Sequence, residues 1–447
     1  MKRLLLGIAV SAVVLGATLS GSHPALAVTQ VDASRFFVDP ATLPFGALAG
    51  VETTRLWGIT NGAGWRIEVP ANWNGDLVLY THGYAGEGDQ LFVQNPSIRA
   101  YLVGKGYAWA ASSYRANGYV PGTGAEDTYD LLKTFRREVK KDGPGGVKGK
   151  PDRVYLYGPS MGGHVIGHMV ERWRNSFAGA LPICGVMGDN ELFDFFQDLY
   201  LVAETLVGND PIVPTPADYY TNPQAGWLVT RELLGTPYPT TLTALGTQFK
   251  QIVENLSGGD RAVFDEGFVG PSGGAFAFNF GAAVAGPGRE NLTTIYQFDT
   301  DPALSPEEQA FNDGINRIAA DKQDRDKNGI FTSATSSPAL TAEFKLPVLT
   351  LHTLGDLFVP FSMQQIYRRR AIDVGTVDLL VQRAIRGRGH CEFLAGELTT
   401  AFDDLVNWVV NGVKPEGDDI LTPATVASPT FGCKFTPVAH ALVPVCP

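Results

Sequence analysis

The chain has 447 residues, 44% of them hydrophobic and 18% charged, with 46 acidic against 35 basic side chains and a formal net charge of −11. That length supports a sizeable core, either as several domain-equivalents or as one domain with a large insertion. The acidic balance gains nothing from a phosphate backbone, so no nucleic acid partner is expected; the composition also excludes collagen, coiled-coil and disordered classes.

Residues 1–27 read as an export signal. Lys2 and Arg3 precede an apolar run from Leu4 to Leu19, the length of a signal core and short for a membrane span. Pro24-Ala25-Leu26-Ala27 offers small residues at both positions of an A-x-A site, so cleavage is expected after Ala27. A secreted or periplasmic protein with no stable membrane insertion follows. Cys184, Cys391, Cys433 and Cys446 all lie beyond the signal. An even count in an exported chain favours two disulfides, and no C-x-x-C spacing suggests a metal.

Residues 28–50 form an irregular arm, and strand-like patterning begins at 51. Gly64 to Val69 alternates, and Leu77 to Tyr80 is a solid apolar run suited to a sheet covered on both faces. Ala108 to Ala111 is a second such run. Asp130 to Lys141 reads as a helix closed by Asp142-Gly143-Pro144-Gly145-Gly146. Val154 to Tyr157 is a third buried strand, 161–174 a helix and Ala178 to Ile183 a strand. This alternation predicts a doubly wound, mostly parallel α/β sheet. It stops between 190 and 340, where a lid or cap is expected to be inserted, opening with an amphipathic helix from Glu191 to Leu206. Leu346 to Leu351 and Val377 to Ile385 resume the strands, and a helix from about Leu394 to Val410 ends the core. The core is therefore 51–189 plus 341–413. Residues 414–447 read as an extended tail.

Gly158-Pro159-Ser160-Met161-Gly162-Gly163 matches G-x-S-x-G, directly after a strand and directly before a helix. That context marks a nucleophile elbow presenting the Ser160 hydroxyl at a helix N-terminus. A serine nucleophile needs a base, and the seven histidines can be sorted. His23 leaves with the signal. His164 and His168 lie on the serine's own helix, as surface or packing residues, and the glutamate of H-E-x-x-H is absent. His352 precedes the candidate acid, and His440 lies in the tail. His390, in a loop between the last strand and the last helix, is the expected base. Asp356, in Gly355-Asp356-Leu357-Phe358-Val359-Pro360 just past a strand end, is the expected acid, with Asp189 as its competitor. The backbone N–H groups of Met161 and Tyr84 are the expected oxyanion donors, and His82 is expected to fix the Tyr84 loop.

HG at His82-Gly83, G-x-S-x-G, G-D-x-x-V-P and G-H in this order resemble the α/β-hydrolase family over about 51–189 and 341–413. The resemblance implies acyl transfer to water through a covalent Ser160 intermediate. Among such enzymes, tannase-like and feruloyl-esterase-like members carry one cysteine beside the serine and another after the histidine. Cys391 matches the second, whereas position 159 is proline. The expected lid lies where many lipases and esterases carry one, between the sixth and seventh strands, and its Phe193, Phe195, Phe196 and Tyr200 are candidates for an acyl or aromatic pocket.

Cys184 ends a strand at the edge where Ser160 sits, and Cys391 adjoins His390, so these two are expected to pair. Cys433 and Cys446 would then close a local loop in the tail. Asp324 to Gly329 resembles the start of a calcium loop, but Thr335 stands where the motif needs glutamate, so a polar turn is expected. Asn255 and Asn291 lie in glycosylation sequons. The expected activity is hydrolysis of a small-molecule or polymeric carboxylic ester, with no cofactor and no metal. A serine exopeptidase and an inactive binding protein are the alternatives.

Overall fold

The computed structural model describes residues 35–142, 149–208, 242–270, 289–320 and 337–447. The sheet begins with a hairpin, β1 (Thr53–Thr60) and β2 (Ala63–Pro70), joined at Asn61-Gly62. Both turn residues have positive φ, 53° and 83°, as a two-residue hairpin turn demands. β3 (Leu77–Tyr80) leads to helix α1 (Arg99–Gly104), then β4 (Ala108–Ser112), α2 (Pro121–Asp142), β5 (Val154–Pro159), α3 (Met161–Arg172) and β6 (Gly179–Ile183). Four helices follow among the described residues: α4 (Glu191–Val207), α5 (Ala244–Leu256), α6 (Phe264–Phe268) and α7 (Pro306–Gly314). β7 (Val348–Thr353), α8 (Ser362–Asp373), β8 (Leu380–Ile385) and α9 (Ala395–Asn411) complete the core.

The eight strands form one sheet in the order β1-β2-β4-β3-β5-β6-β7-β8. β2 runs antiparallel to both of its neighbours, and every other pairing is parallel. The solid apolar runs follow from this architecture, because successive side chains point to opposite faces. Leu77 and Leu79 pack with the residues of α2, α3 and α4, whereas Val78 and Tyr80 pack with those of α1 and α9. Both faces are buried, so a polar residue on either side needs a partner, as Thr350 and Gln382 have in Gln364.

Several boundaries differ from the sequence reading. α2 starts at Pro121 rather than near Asp130, with proline at its start, where an N–H is not needed. Glycines at 122 and 124 had masked its first turn. Gly124 lets α2 approach closely, since a Cβ there would lie 3.0 Å from both Tyr114 and Val165. The last strand starts at Leu380, after a 3-10 turn over Val377–Leu379. The tail is not simply extended. It contains a short helix, Pro423–Val426, and a 3-10 turn, Cys433–Phe435, and packs Ile420, Val426, Phe431 and Val443 against Leu354 and Phe361.

α4 is buried on more than its apolar stripe. Phe193, Phe196 and Leu199 join the main core, and Asp194 and Asp198 are buried as well. Asp194 accepts from the Glu290 backbone at 2.8 Å, and Asp198 from the Tyr296 hydroxyl at 2.6 Å. Thus the chain over 289–320 covers the acidic face of α4. The signal over 1–27 and the calcium-like Asp324 to Gly329 lie outside the described residues. No helix among the described residues is long and apolar enough to cross a membrane. Of the two sequon asparagines, Asn291 is buried and bonds Tyr296, Asn316 and Ile318, which leaves it inaccessible to a glycan.

Candidate active site

Ser160 sits between β5 and α3 with φ 58° and ψ −126°, a conformation that L-residues rarely adopt. The turn is held by Ser160 N–H to the Ile183 carbonyl at 3.0 Å and Gly163 N–H to the Ser160 carbonyl at 2.8 Å. Its glycines are sterically required. A Cβ at 158 would lie 2.0 Å from Thr81 Oγ1, and one at 162 would lie 2.2 Å from the Thr81 carbonyl oxygen. The close approach of the β3 end to the elbow is what forbids side chains there.

His390 lies in the loop after β8, and Asp356 in the loop after β7. The Ser160 hydroxyl donates to His390 Nε2 at 2.9 Å, and His390 Nδ1–H donates to Asp356 Oδ2 at 2.6 Å. Asp356 is fully buried, and its other oxygen accepts the N–H groups of Phe358 and Val359 at 3.0 and 2.9 Å. With both of its oxygens occupied by donors, the Asp356 side chain fixes the imidazole tautomer, leaving Nε2 bare toward the serine. The histidine loop is held in turn: Glu392 Oε2 accepts the N–H groups of Arg388 and Gly389, and the Thr353 hydroxyl donates to the Gly389 carbonyl.

Asp189 takes a different place. Its carboxylate binds Arg370 at 2.6 Å and the N–H of Leu340 at 2.8 Å, and accepts from the Asn190 backbone. It ties α8 and the chain entering β7 to the end of β6. Four other histidines also have settled partners. His352 donates Nε2–H to the Val359 carbonyl at 2.8 Å and accepts from Gln364. Of the two expectations for His164, surface or packing, the structure shows packing: it is buried between Tyr119 and the Pro338 carbonyl. His440 bonds Glu397 at 2.9 Å. His82 stacks on Tyr114 at 3.9 Å between ring centroids and donates to the Gly83 carbonyl at 2.6 Å, which holds the loop carrying Tyr84.

The sulfurs of Cys184 and Cys391 are bonded, with Cα atoms 5.2 Å apart, and those of Cys433 and Cys446, with Cα atoms 5.8 Å apart. Cys391 Sγ lies 3.4 Å from His390 Nε2, so the first bridge connects the end of β6 to the histidine loop beside the imidazole.

Ser160 opens into a void lined by Tyr84, Tyr119, Met161, Val186, Leu192, Phe193, Phe196, Phe358 and Val359. Of the four aromatic residues expected at a pocket, Phe193 and Phe196 line the void, whereas Phe195 and Tyr200 are buried but do not. Tyr119 and Phe358 were not foreseen. Phe358 belongs to the very motif that supplied Asp356, and its aromatic character was the available signal. Arg261 was also missed. It is buried behind the acid loop, donates to the Leu354 carbonyl at 2.7 Å, and feels Asp356 electrostatically. Burial lowers its pKa to about 10, so it still carries a positive charge at neutral pH.

Strand order, the single antiparallel strand and the strained serine turn after the fifth strand define the α/β-hydrolase fold. No protein-family model matches the chain. It is 23% identical over 442 residues to an o-phthalyl amidase of Xanthobacter agilis, covering 86% of this chain and 93% of that protein. Among solved structures it is similar to feruloyl esterase B from Aspergillus oryzae, at 15% identity and a TM-score of 0.48, covering 84% of this chain and 85% of that one. An esterase from Aspergillus oryzae gives 15% identity and a TM-score of 0.47, covering 81% of each chain.

Proposed function

We propose that this chain is an exported serine hydrolase that cleaves carboxylic esters, with Ser160 as nucleophile, His390 as general base and acid, and Asp356 orienting the imidazole. The observation that carries this reading is the unbroken hydrogen-bonded chain from Ser160 through His390 to buried Asp356, opening on an apolar void. Attack forms the Ser160 Oγ–carbon bond as the hydroxyl proton passes to His390 Nε2. The ester C–O bond then breaks, and the proton goes to the leaving oxygen. Water repeats the sequence: its proton passes to Nε2, its oxygen bonds the carbonyl carbon, and the proton returns to Ser160 Oγ as the acid leaves.

The tetrahedral oxyanion needs donors. The N–H of Met161, at the N-terminus of α3, and that of Tyr84, on the loop fixed by His82, are the proposed pair, and both residues line the void beside Ser160. Amide cleavage is a second reading, favoured by the 23% identity to an amidase over most of the chain. The same five atoms, Oγ, Nε2, Nδ1 and the two oxyanion N–H nitrogens, would serve it.

The purified chain should hydrolyse p-nitrophenyl esters and label at Ser160 with a fluorophosphonate. Faster turnover of matched p-nitroanilides would replace ester by amide as the substrate bond. Neither turnover nor labelling at Ser160 would overturn the assignment of the nucleophile.

A further inference from the structure

We propose that Cys184, Cys391 and His390 form a binding site for a thiophilic divalent cation such as Zn²⁺ once the bridge between the two cysteines is reduced, and that the intact bridge keeps metal off the imidazole. The binding goes beyond the proposed function; the loss of turnover it causes rests on His390 acting as the base.

The first argument is geometric. The two Sγ atoms and a ring nitrogen of His390 all lie within 4.8 Å of one another. Cys391 Sγ is 3.4 Å from His390 Nε2. Zinc bonds sulfur at about 2.3 Å and nitrogen at about 2.0 Å with tetrahedral angles, which puts sulfur about 3.5 Å from nitrogen. This pair is therefore already spaced for one shared ion.

The second argument is the donor set. Two thiolates and one imidazole suit zinc, and three protein ligands leave a fourth position for water. The two thiolates also cancel the charge of the ion, which matters where Cys184 is fully buried and the other two residues are half-buried. The ring offers the right nitrogen. His390 Nδ1–H is committed to Asp356 Oδ2 at 2.6 Å, so the lone pair is on Nε2. A metal-bound histidine whose other N–H meets a carboxylate is the usual arrangement.

The third argument is that the ligands keep their places without the bridge. Cys184 N–H donates to the Leu351 carbonyl in β7 at 2.8 Å, and the neighbouring Ile183 carbonyl accepts Ser160 N–H at 3.0 Å. The Cys391 carbonyl accepts Phe393 N–H at 2.9 Å, and Glu392 and Thr353 hold the residues just before His390. None of these bonds involves sulfur, so reduction should leave both thiols beside the imidazole. Cys391 is partly exposed, which gives a reductant access.

The chemistry balances. A phosphine attacks one sulfur, the S–S bond breaks, and water gives its oxygen to phosphorus. Disulfide, phosphine and water become two thiols and a phosphine oxide. The cation then displaces both thiol protons. It also takes the Nε2 lone pair that would receive the Ser160 proton, so turnover stops.

The test treats the full chain with tris(2-carboxyethyl)phosphine, then with Co²⁺ or Zn²⁺. Reduction alone should keep the circular dichroism spectrum and most p-nitrophenyl ester turnover. The reduced chain should bind one Co²⁺ with the visible bands of tetrahedral thiolate coordination. Zn²⁺ should bleach those bands and lower turnover roughly 100-fold or more, as expected when the base is lost, and a chelator should restore it. The oxidised chain should show neither effect. Reduced Cys184→Ser should keep turnover, lose the bands and resist Zn²⁺; if it does not fold, Cys391→Ser is read the same way. Asp356→Asn should weaken Co²⁺ binding about tenfold. The Cys433→Ser, Cys446→Ser double variant should bind Co²⁺ as the parent does. A reduced chain without the bands, equal inhibition of the oxidised chain, or bands unchanged in the serine variants of Cys184 and Cys391 overturns the site. Reduction that by itself abolishes turnover overturns the claim that the ligands keep their places. Cobalt bands in a chain that hydrolyses no ester in either state support the site and overturn the hydrolase reading.

Discussion

The void has two walls of different origin. One is local: Ser160 and Met161 belong to a single turn, and Tyr84 follows a strand that pairs directly with the strand before that turn. The other is assembled from distant pieces: Tyr119 from the chain before α2, Phe193 and Phe196 from α4, Phe358 from the loop after β7. In the proposed function the first wall positions atoms for chemistry, where a displacement of one ångström is expensive. In the proposed function the second wall would meet the substrate by shape, where losing one ring costs much less. The difference teaches where substitutions should strike turnover and where they should strike selectivity.

The sharpest way to break this contrast is Ser160→Ala. It should keep the fold and lower kcat by roughly 10⁶-fold, since members of a triad act as a unit; circular dichroism and a steady-state assay read both. Asp356→Asn should lower kcat by roughly 10⁴-fold through the wrong tautomer. Asp189→Asn should instead cost about 1–3 kcal/mol of stability, because it strips a buried acceptor from Arg370 and Leu340. Comparable losses of kcat in the two asparagine variants would show that Asp189, not Asp356 alone, governs His390.

Disulfides sharpen the comparison further. Replacing both Cys433 and Cys446 by serine removes a bridge across 13 residues of the tail. Denaturant unfolding should show a loss of about 3 kcal/mol, with kcat unchanged.

The smallest effect concerns pH. Burial raises the Glu171 carboxyl to about 7, although it accepts bonds from Thr341 and Ala342. Its folded pKa lies above the unfolded value, so the folded state binds the extra proton and this group's contribution to stability falls as pH rises from about 4.5 to about 7. His168 works the other way: burial lowers it to about 4, so its contribution is lost as pH falls from 6.5 toward that value. The clean reading is therefore Glu171→Gln minus the parent protein. The variant's Tm should gain on the parent's between pH 5 and 7.5, by an amount equivalent to at most about 3 kcal/mol. A pH-independent difference would show that Glu171 titrates normally.

What the sequence by itself determined were the features written in consecutive residues. The apolar runs at Leu77, Ala108 and Val154 are strands because both of their faces must be buried. G-x-S-x-G is legible because its glycines stand at fixed spacing around the serine, although the contact each one answers comes from Thr81 at the end of β3. His390 and Asp356 emerged by order along the chain, since loops at one end of a parallel sheet follow its strands. Other features depended on approach between segments far apart in sequence. The burial of Asp194 and Asp198 required the chain over 289–320 to fold back on α4. Asp189 competes with Asp356 in the sequence, and what occupies it, Arg370 from a helix far along the chain, is visible only in space. Tyr119 became a wall because His164 and Phe193, each more than forty residues away, hold its hydroxyl and its ring. Tertiary structure decided these because hydrogen-bond partners and ring contacts are properties of distance in space, and no local pattern of hydropathy encodes which distant side chain will arrive.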